Sequence, residues 1–245
     1  MIQWFRSIVK KKSDLDPELQ VRIENLERII GLTIDDPSLY LKALRHRSTI
    51  SKDEYESYDS YERLEFLGDA VLDLIAAEIL FQVYPKANEG FLTKIRAKLV
   101  RGETLSKLTA RLGIDNLMEF GERTSKNKVT KNIMADVFES IIAAIYITNG
   151  YEKAYEFVER VIENHLDLDE LINTVDNYKR ALLEYTQAKK LAMPDYQLIT
   201  ETGPGHDRTF EVAVKIGEDT LGTGTGKSKK KAEQAAAKEA LDALQ

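Results

Sequence analysis

The stretch Glu62-Arg63-Leu64-Glu65-Phe66-Leu67-Gly68-Asp69-Ala70 constrains this chain more than any other segment. It sets three acids at spacings of three and four inside a run that stays apolar through Val71, Leu72, Leu74 and Ile75. On a helix turning about 100° per residue, Glu62, Glu65 and Asp69 fall within roughly 60° of one another. Apolar neighbours cover the other sides, and a helix that is apolar nearly all round is a buried one. A carboxylate stripped of water and left unpaired is strongly destabilising. The segment therefore asks for a metal ion or a basic partner.

A second acidic pair stands in Ile133-Met134-Ala135-Asp136-Val137-Phe138-Glu139-Ser140-Ile141, again three apart among apolar residues. Two such helices packed side by side would form a cage of oxygen ligands suited to a hard divalent ion. The chain has no cysteine, and its three histidines (His46, His165 and His206) are well separated, so magnesium or manganese is expected in place of zinc. Activation of water and charge stabilisation at a phosphate is the chemistry such a cage performs. Spacing alone leaves other uses open. Acids three apart are common on helices, where they cap, lie exposed, or pair with bases such as Arg63, Arg96 or Arg101. Glu62 has its own alternative, a capping box in which Asp59 is the N-cap and Glu62 the third helical residue.

The surrounding pattern is helical. Asp16-Pro17-Glu18 and Asp36-Pro37 are helix-start signals, the second for a helix towards Arg45. Apolar spacing predicts further helices over 62–83, 89–100, 103–112, 133–149 and 152–165, with polar loops at 46–58 and 122–131. No strand pattern interrupts residues 16–168. The apolar period then fades, which places a linker at 169–175. Beyond it the pattern changes: a helix over 178–190, alternation in Tyr196, Leu198 and Thr200, and again in Phe210, Val212, Val214 and Ile216. Gly217-Glu218-Asp219 reads as a hairpin turn, 220–225 as a third strand, and Ser228 as the cap of an alanine-rich helix ending near Leu244.

The expected organisation is an N-terminal arm at 1–15, an all-α domain at 16–168, the linker at 169–175, and a small α+β domain of order α-β-β-β-α at 176–245. The longest uncharged apolar run, 140–151, has 12 residues, too short for a membrane span. The arm places its lysines after its apolar residues, the reverse of a secretory signal. No membrane partner is expected.

Net charge is −6 and the pI about 5.3, which argues against a nucleic-acid partner until the distribution is examined. Residues 176–245 carry eleven basic and eleven acidic residues, so the whole excess lies before them. Within that neutral segment, Lys227, Lys229, Lys230 and Lys231 gather where a helix starts. Backbone N–H groups and the dipole attract anions there, and the lysines strengthen the attraction; the other reading of such a cluster is a run of solvated charge.

At these residues the sequence resembles the ribonuclease III family. Residues 62–70 match its acidic segment, and Ala135-Asp136 with Glu139 its second. Leu44-Arg45-His46-Arg47-Ser48 and Arg96-Ala97-Lys98-Leu99-Val100 resemble two other recurrent segments. Gly203-Pro204 followed by His206, and the run from Ser228 to Glu233, resemble a double-stranded-RNA-binding domain.

The resemblance implies an endoribonuclease that hydrolyses double-stranded RNA with Mg2+, or Mn2+ as substitute, leaving 5′-phosphate and 3′-hydroxyl ends. It implies a cytoplasmic processor of structured precursors such as rRNA and mRNA. Asp69 and Glu139 would be the catalytic pair; Glu65, Asp136 and Glu139 the metal ligands; Glu62 an auxiliary acid. Phe66 would pack across a homodimer whose two sites each cut one strand. Lys229 and Lys230 would meet phosphates, Pro204 and His206 one minor groove, and Glu184 and Gln187 another. Leu183 stands where relatives often have Gln. The competing expectation is a catalytically silent scaffold that binds double-stranded RNA.

Overall fold

The computed structural model describes residues 12–49, 60–121, 130–173, 177–204 and 207–244. The chain divides into two units, Met1–Ile172 and Asn173–Gln245. The first contains α1 (Pro17–Ile30), α2 (Ser38–Ala43), α3 (Glu62–Val83), α4 (Glu89–Leu99), α5 (Gly102–Leu112), α6 (Lys131–Asn149), α7 (Tyr151–His165) and α8 (Leu168–Asn173). The second contains α9 (Tyr178–Ala188), β1 (Pro194–Thr202), β2 (Thr209–Ile216), β3 (Asp219–Gly226) and α10 (Lys229–Leu244).

Helix starts and stops follow local chemistry. Asp16 caps α1 by accepting from the Leu19 N–H at 2.9 Å, with Pro17 at the first helical position. Asn88 and Thr130 do the same for α4 and α6. Several helix C-termini are closed by basic side chains from another helix. Arg160 donates to the carbonyls of Ile29 and Ile30, and Arg111 to that of His165. Such donors satisfy carbonyls with no partner inside the helix and meet the negative end of its dipole.

The core of the first unit forms around α6, where Val137, Phe138 and the run from Ile141 to Ile145 are buried. Ile23, Leu26 and Ile30 of α1 and Leu72, Ile75 and Ala76 of α3 belong to the same core. In the second unit the sheet order is β1-β2-β3, all antiparallel, with Tyr196 opposite Val214 and Val212 opposite Gly224. Leu182, Val214, Ile216, Ala236, Ala237 and Ala240 form its core. α10 lies close on β3: a Cβ at Gly224 would sit 2.2 Å from the Ala236 nitrogen.

The structure differs from the sequence expectations in four places. The buried-helix reading of 62–83 holds for most of α3, but Phe66 (83% exposed), Leu74 (57%) and Phe81 (71%) face outward. The capping box at Glu62 does not form: Tyr61 is the N-cap, its side chain caps no N–H of the helix, and Glu62 is the first helical residue. Asp59 lies outside the described residues. The second helix stops at Ala43, and Arg45 instead makes an isolated bridge with Glu119. Residues Leu168–Asn173, where the period fades, form α8. That helix is held by tertiary contact: the buried Lys98 ammonium donates to the carbonyls of Leu171 and Ile172, each at 2.9 Å.

Most of the arm at 1–15 and of the 122–131 loop also lies outside the described residues, but Leu15 is buried and Lys12 pairs with Glu27 at 2.7 Å. Among the described residues no helix is long and apolar enough to cross a membrane.

Candidate active site

The site is made where α3 and α6 touch. Gly68 sits in the middle of α3, where glycine weakens a helix. Its reason is steric: a Cβ there would lie 1.8 Å from the Glu139 carbonyl oxygen. The missing side chain lets the two backbones meet and brings their acids together. Oxygens of Glu65, Asp136 and Glu139 lie within 4.8 Å of one another.

That proximity shifts their protonation. Burial pushes the Glu139 carboxyl up, and Asp69, Asp136, Glu65 and Asp73 add to it, taking the pKa to about 8. Glu65 is raised by burial, then by Asp136, Glu62 and Asp69. Burial also raises Asp136; a hydrogen bond from Tyr61 opposes the shift, and Glu62 adds to it. Among the described residues no lysine or arginine pairs with these three carboxylates. Three convergent oxygens that all resist ionisation fit a hard divalent cation, which would supply the missing positive charge.

The remaining acids surround this centre. Asp69 is exposed and outside the triplet, yet close enough to raise Glu139. Glu62 lies 3.5 Å from Arg47 and acts on Asp136 and Glu65 through its charge. Phe66 lies outside the acidic triplet and lines a groove of about 380 Å³ with Leu39, Leu67 and Ile147, bordered by the charged Lys42, Glu62 and Arg63.

Three contributors were missed at the sequence level. Tyr61 is buried and donates its hydroxyl to Asp136 Oδ2 at 3.2 Å. Burial and Asp136 hold that phenol well above its usual range, so it stays a donor. Asp73 presses on Glu139 while approaching Arg96 at 3.9 Å. Gly68 is the third. A glycine inside a long apolar helix was the available signal for it; nothing marked Tyr61 or Asp73.

The second unit carries the predicted basic surface separately. Lys229, Lys230 and Lys231 are exposed at the start of α10, where Ser228 Oγ accepts from the Lys231 N–H at 3.3 Å. Lys227 is paired with Asp207 at 2.6 Å. Pro204 is exposed and His206 lies outside the described residues. Glu184 and Gln187 are exposed on α9, with Glu184 bound to Arg180 at 2.7 Å. Leu183 is half-buried.

Comparison with known proteins is consistent across the chain. A family model described as ribonuclease-III-like matches residues 36–166, and one described as double-stranded RNA binding motif matches 178–244. Ribonuclease 3 of a Nitratiruptor species is 41% identical over 228 residues, covering 91% of this chain and 97% of that protein. Ribonuclease 3 of Chlorobium chlorochromatii is 39% identical over 222 residues, 89% of each. A solved nuclease domain of ribonuclease III from Campylobacter jejuni, described for flexibility in a region involved in dimer formation, superposes with a TM-score of 0.54. It is 37% identical and covers 59% of this chain and 98% of its own.

Proposed function

The chain belongs to the ribonuclease III family, metal-dependent endoribonucleases of double-stranded RNA, and from that premise we propose how its own residues do the work. The observation that carries the proposal is the convergence of Glu65, Asp136 and Glu139 across the α3–α6 contact. These three would hold Mg2+, with Mn2+ as a substitute. When bound, the ion supplies positive charge at the scissile phosphate and makes water a better nucleophile near neutral pH.

Glu139 is the most strongly perturbed of the acids: burial and the neighbouring carboxylates favour its neutral form, which a bound cation would oppose. Asp69, exposed beside it, accepts a hydrogen bond from the attacking water and takes its proton. Asp69 and Glu139 are thus the catalytic pair. Glu62, on the first turn of α3, is an auxiliary acid that adds negative potential. The new bond joins the water oxygen to phosphorus, and the bond from phosphorus to the 3′ oxygen breaks; that oxygen takes a proton from solvent water, leaving a 5′-phosphate and a 3′-hydroxyl.

Substrate is gripped by the second unit, which reads A-form shape through minor-groove and phosphate contacts. Lys229 and Lys230 meet phosphates, Pro204 and His206 enter one minor groove, and Glu184 and Gln187 lie along another. Two copies join through the exposed apolar stripe of α3, with Phe66 at its start, so that each site cuts one strand. Such burial gives the outward Phe66, Leu74 and Phe81 a purpose. Structured cytoplasmic precursors of rRNA and mRNA fit this substrate class.

The test incubates the protein with long duplex RNA, single-stranded RNA and duplex DNA, in Mg2+ or in EDTA. Cleavage of duplex RNA alone, and only with Mg2+, is expected. Intact duplex RNA in Mg2+, or equal cleavage by Glu139→Gln, would overturn the assignment.

A further inference from the structure

We propose that Tyr61 is a positioning residue for the cation site, its hydroxyl fixing the Asp136 carboxylate in the orientation that cation binding needs. The proposal rests on reading Glu65, Asp136 and Glu139 as the cation's ligands.

Tyr61 precedes α3 and is only 4% exposed. Its main-chain N–H donates to the Arg45 carbonyl at 3.1 Å, and its own carbonyl accepts from Ser140 Oγ at 3.3 Å. The ring packs 5.9 Å from that of His46. Ser140 lies one turn beyond Asp136 on α6 and also donates to the Asp136 carbonyl at 2.7 Å. Tyr61 is therefore tied at backbone and side chain to the helix that carries Asp136. A donor held this way cannot swing aside, and forming its bond costs little further side-chain entropy.

The bond from the hydroxyl to Asp136 Oδ2 restricts rotation of the carboxylate and offsets part of its charge. Among the described residues neither Glu65 nor Glu139 accepts a comparable bond. Asp136 is thus the one pre-oriented ligand of the three. Groups that orient a metal ligand from behind typically change metal affinity by about 10–100-fold when removed.

The test compares the full-length parent with Tyr61→Phe, which keeps the ring and removes only the hydroxyl. Thermal unfolding is followed across a MgCl2 series, since a ligand that binds only the folded state raises the midpoint with the logarithm of its concentration once that exceeds the dissociation constant. Duplex-RNA cleavage is measured over the same series. We expect the Mg2+ concentration at which the midpoint begins to rise and that for half-maximal cleavage both to move about tenfold higher, with cleavage at saturating Mg2+ returning to within about threefold of the parent. A variant of merely lower stability would start from a lower midpoint in EDTA but respond to the same Mg2+ concentrations as the parent, and that result overturns the proposal. So does a cleavage defect that saturating Mg2+ leaves in place. If instead the parent itself showed no Mg2+-dependent rise in midpoint, the cation-site reading beneath the proposal would be the part that fails.

Discussion

At the α3–α6 contact charge is half-buried and unbalanced; at the start of α10 it is exposed and partly balanced. Glu65, Asp136 and Glu139 press on one another with no basic partner among the described residues. On the second unit, Lys227 already has Asp207, Arg208 has Glu201, and Lys179 has Glu233. The first arrangement persists only because a rigid core imposes it. The second needs little more than a helix end facing solvent. A ligand that neutralises a half-buried cluster must match its geometry, whereas a polyanion meeting exposed lysines can be gripped wherever its phosphates fall. Steric changes should therefore abolish the first in steps, and charge changes should weaken the second by degrees.

The largest expected effect is that of Glu139→Gln. It should reduce cleavage by about a thousandfold, in the upper range for losing one group that stabilises transition-state charge, while duplex affinity stays unchanged. A gel-shift assay beside the cleavage assay checks both; lost affinity would tie the two regions together.

Gly68→Ala comes next. The added methyl meets backbone, which cannot turn aside as a side chain would. Overpacking of this kind costs about 1–3 kcal/mol, and opening the helix contact should slow cleavage by roughly a hundredfold. Urea unfolding and cleavage rates measure these losses; a variant with the parent's stability and rate would mean that the acids do not depend on the close approach.

Phe66→Ala tests a third use of α3, in which surface is apolar and uncharged. Central aromatic residues contribute about 2 kcal/mol or more at interfaces, so dimer dissociation should strengthen about thirtyfold. Sedimentation over a concentration series reads it, and unchanged association would remove the dimer role.

The smallest effect is expected on the second unit. Replacing Lys229 and Lys230 by Ala should weaken duplex binding about tenfold and reduce the salt slope by about 2, one for each phosphate contact. Cleavage at low salt should be nearly retained. A slope equal to the parent's would show that these lysines do not meet phosphate.

What the sequence disclosed follows the same division. Signals that act within a few residues were legible: Asp16-Pro17 opening α1, Gly113 closing α5, period-2 alternation in β2, and acids at spacings of three and four. Features decided by a distant partner were not. α8 has too few residues to announce itself and is fastened by Lys98, more than 70 positions earlier. The bond from Tyr61 to Asp136 spans 75 positions, and no local pattern points to it. The outward face of α3 shows the limit from the other side. Phe66, Leu74 and Phe81 have the composition of a core, and hydrophobic spacing cannot tell surface buried within one chain from surface offered to another.

Half-buried, unbalanced charge also has a thermodynamic sign. Glu139 has an ordinary pKa of 4.5 and is raised to about 8 in the folded protein. Between these values the folded state holds more protons than the unfolded state, so without metal its contribution to stability is full below about pH 4.5 and is lost as pH rises through about 8. Glu65 and Asp136 are shifted in the same sense. A cation that binds the ionised cluster should reverse the loss.

The most direct measurement is therefore the difference in thermal midpoint between Glu139→Gln and the parent, followed by calorimetry from about pH 5 to pH 8 in EDTA and again in Mg2+. Unbalanced charge at this half-buried site predicts that in EDTA the variant gains on the parent as pH rises, and that Mg2+ reverses the order at the upper end. A difference that stays flat with pH and ignores Mg2+ would contradict it.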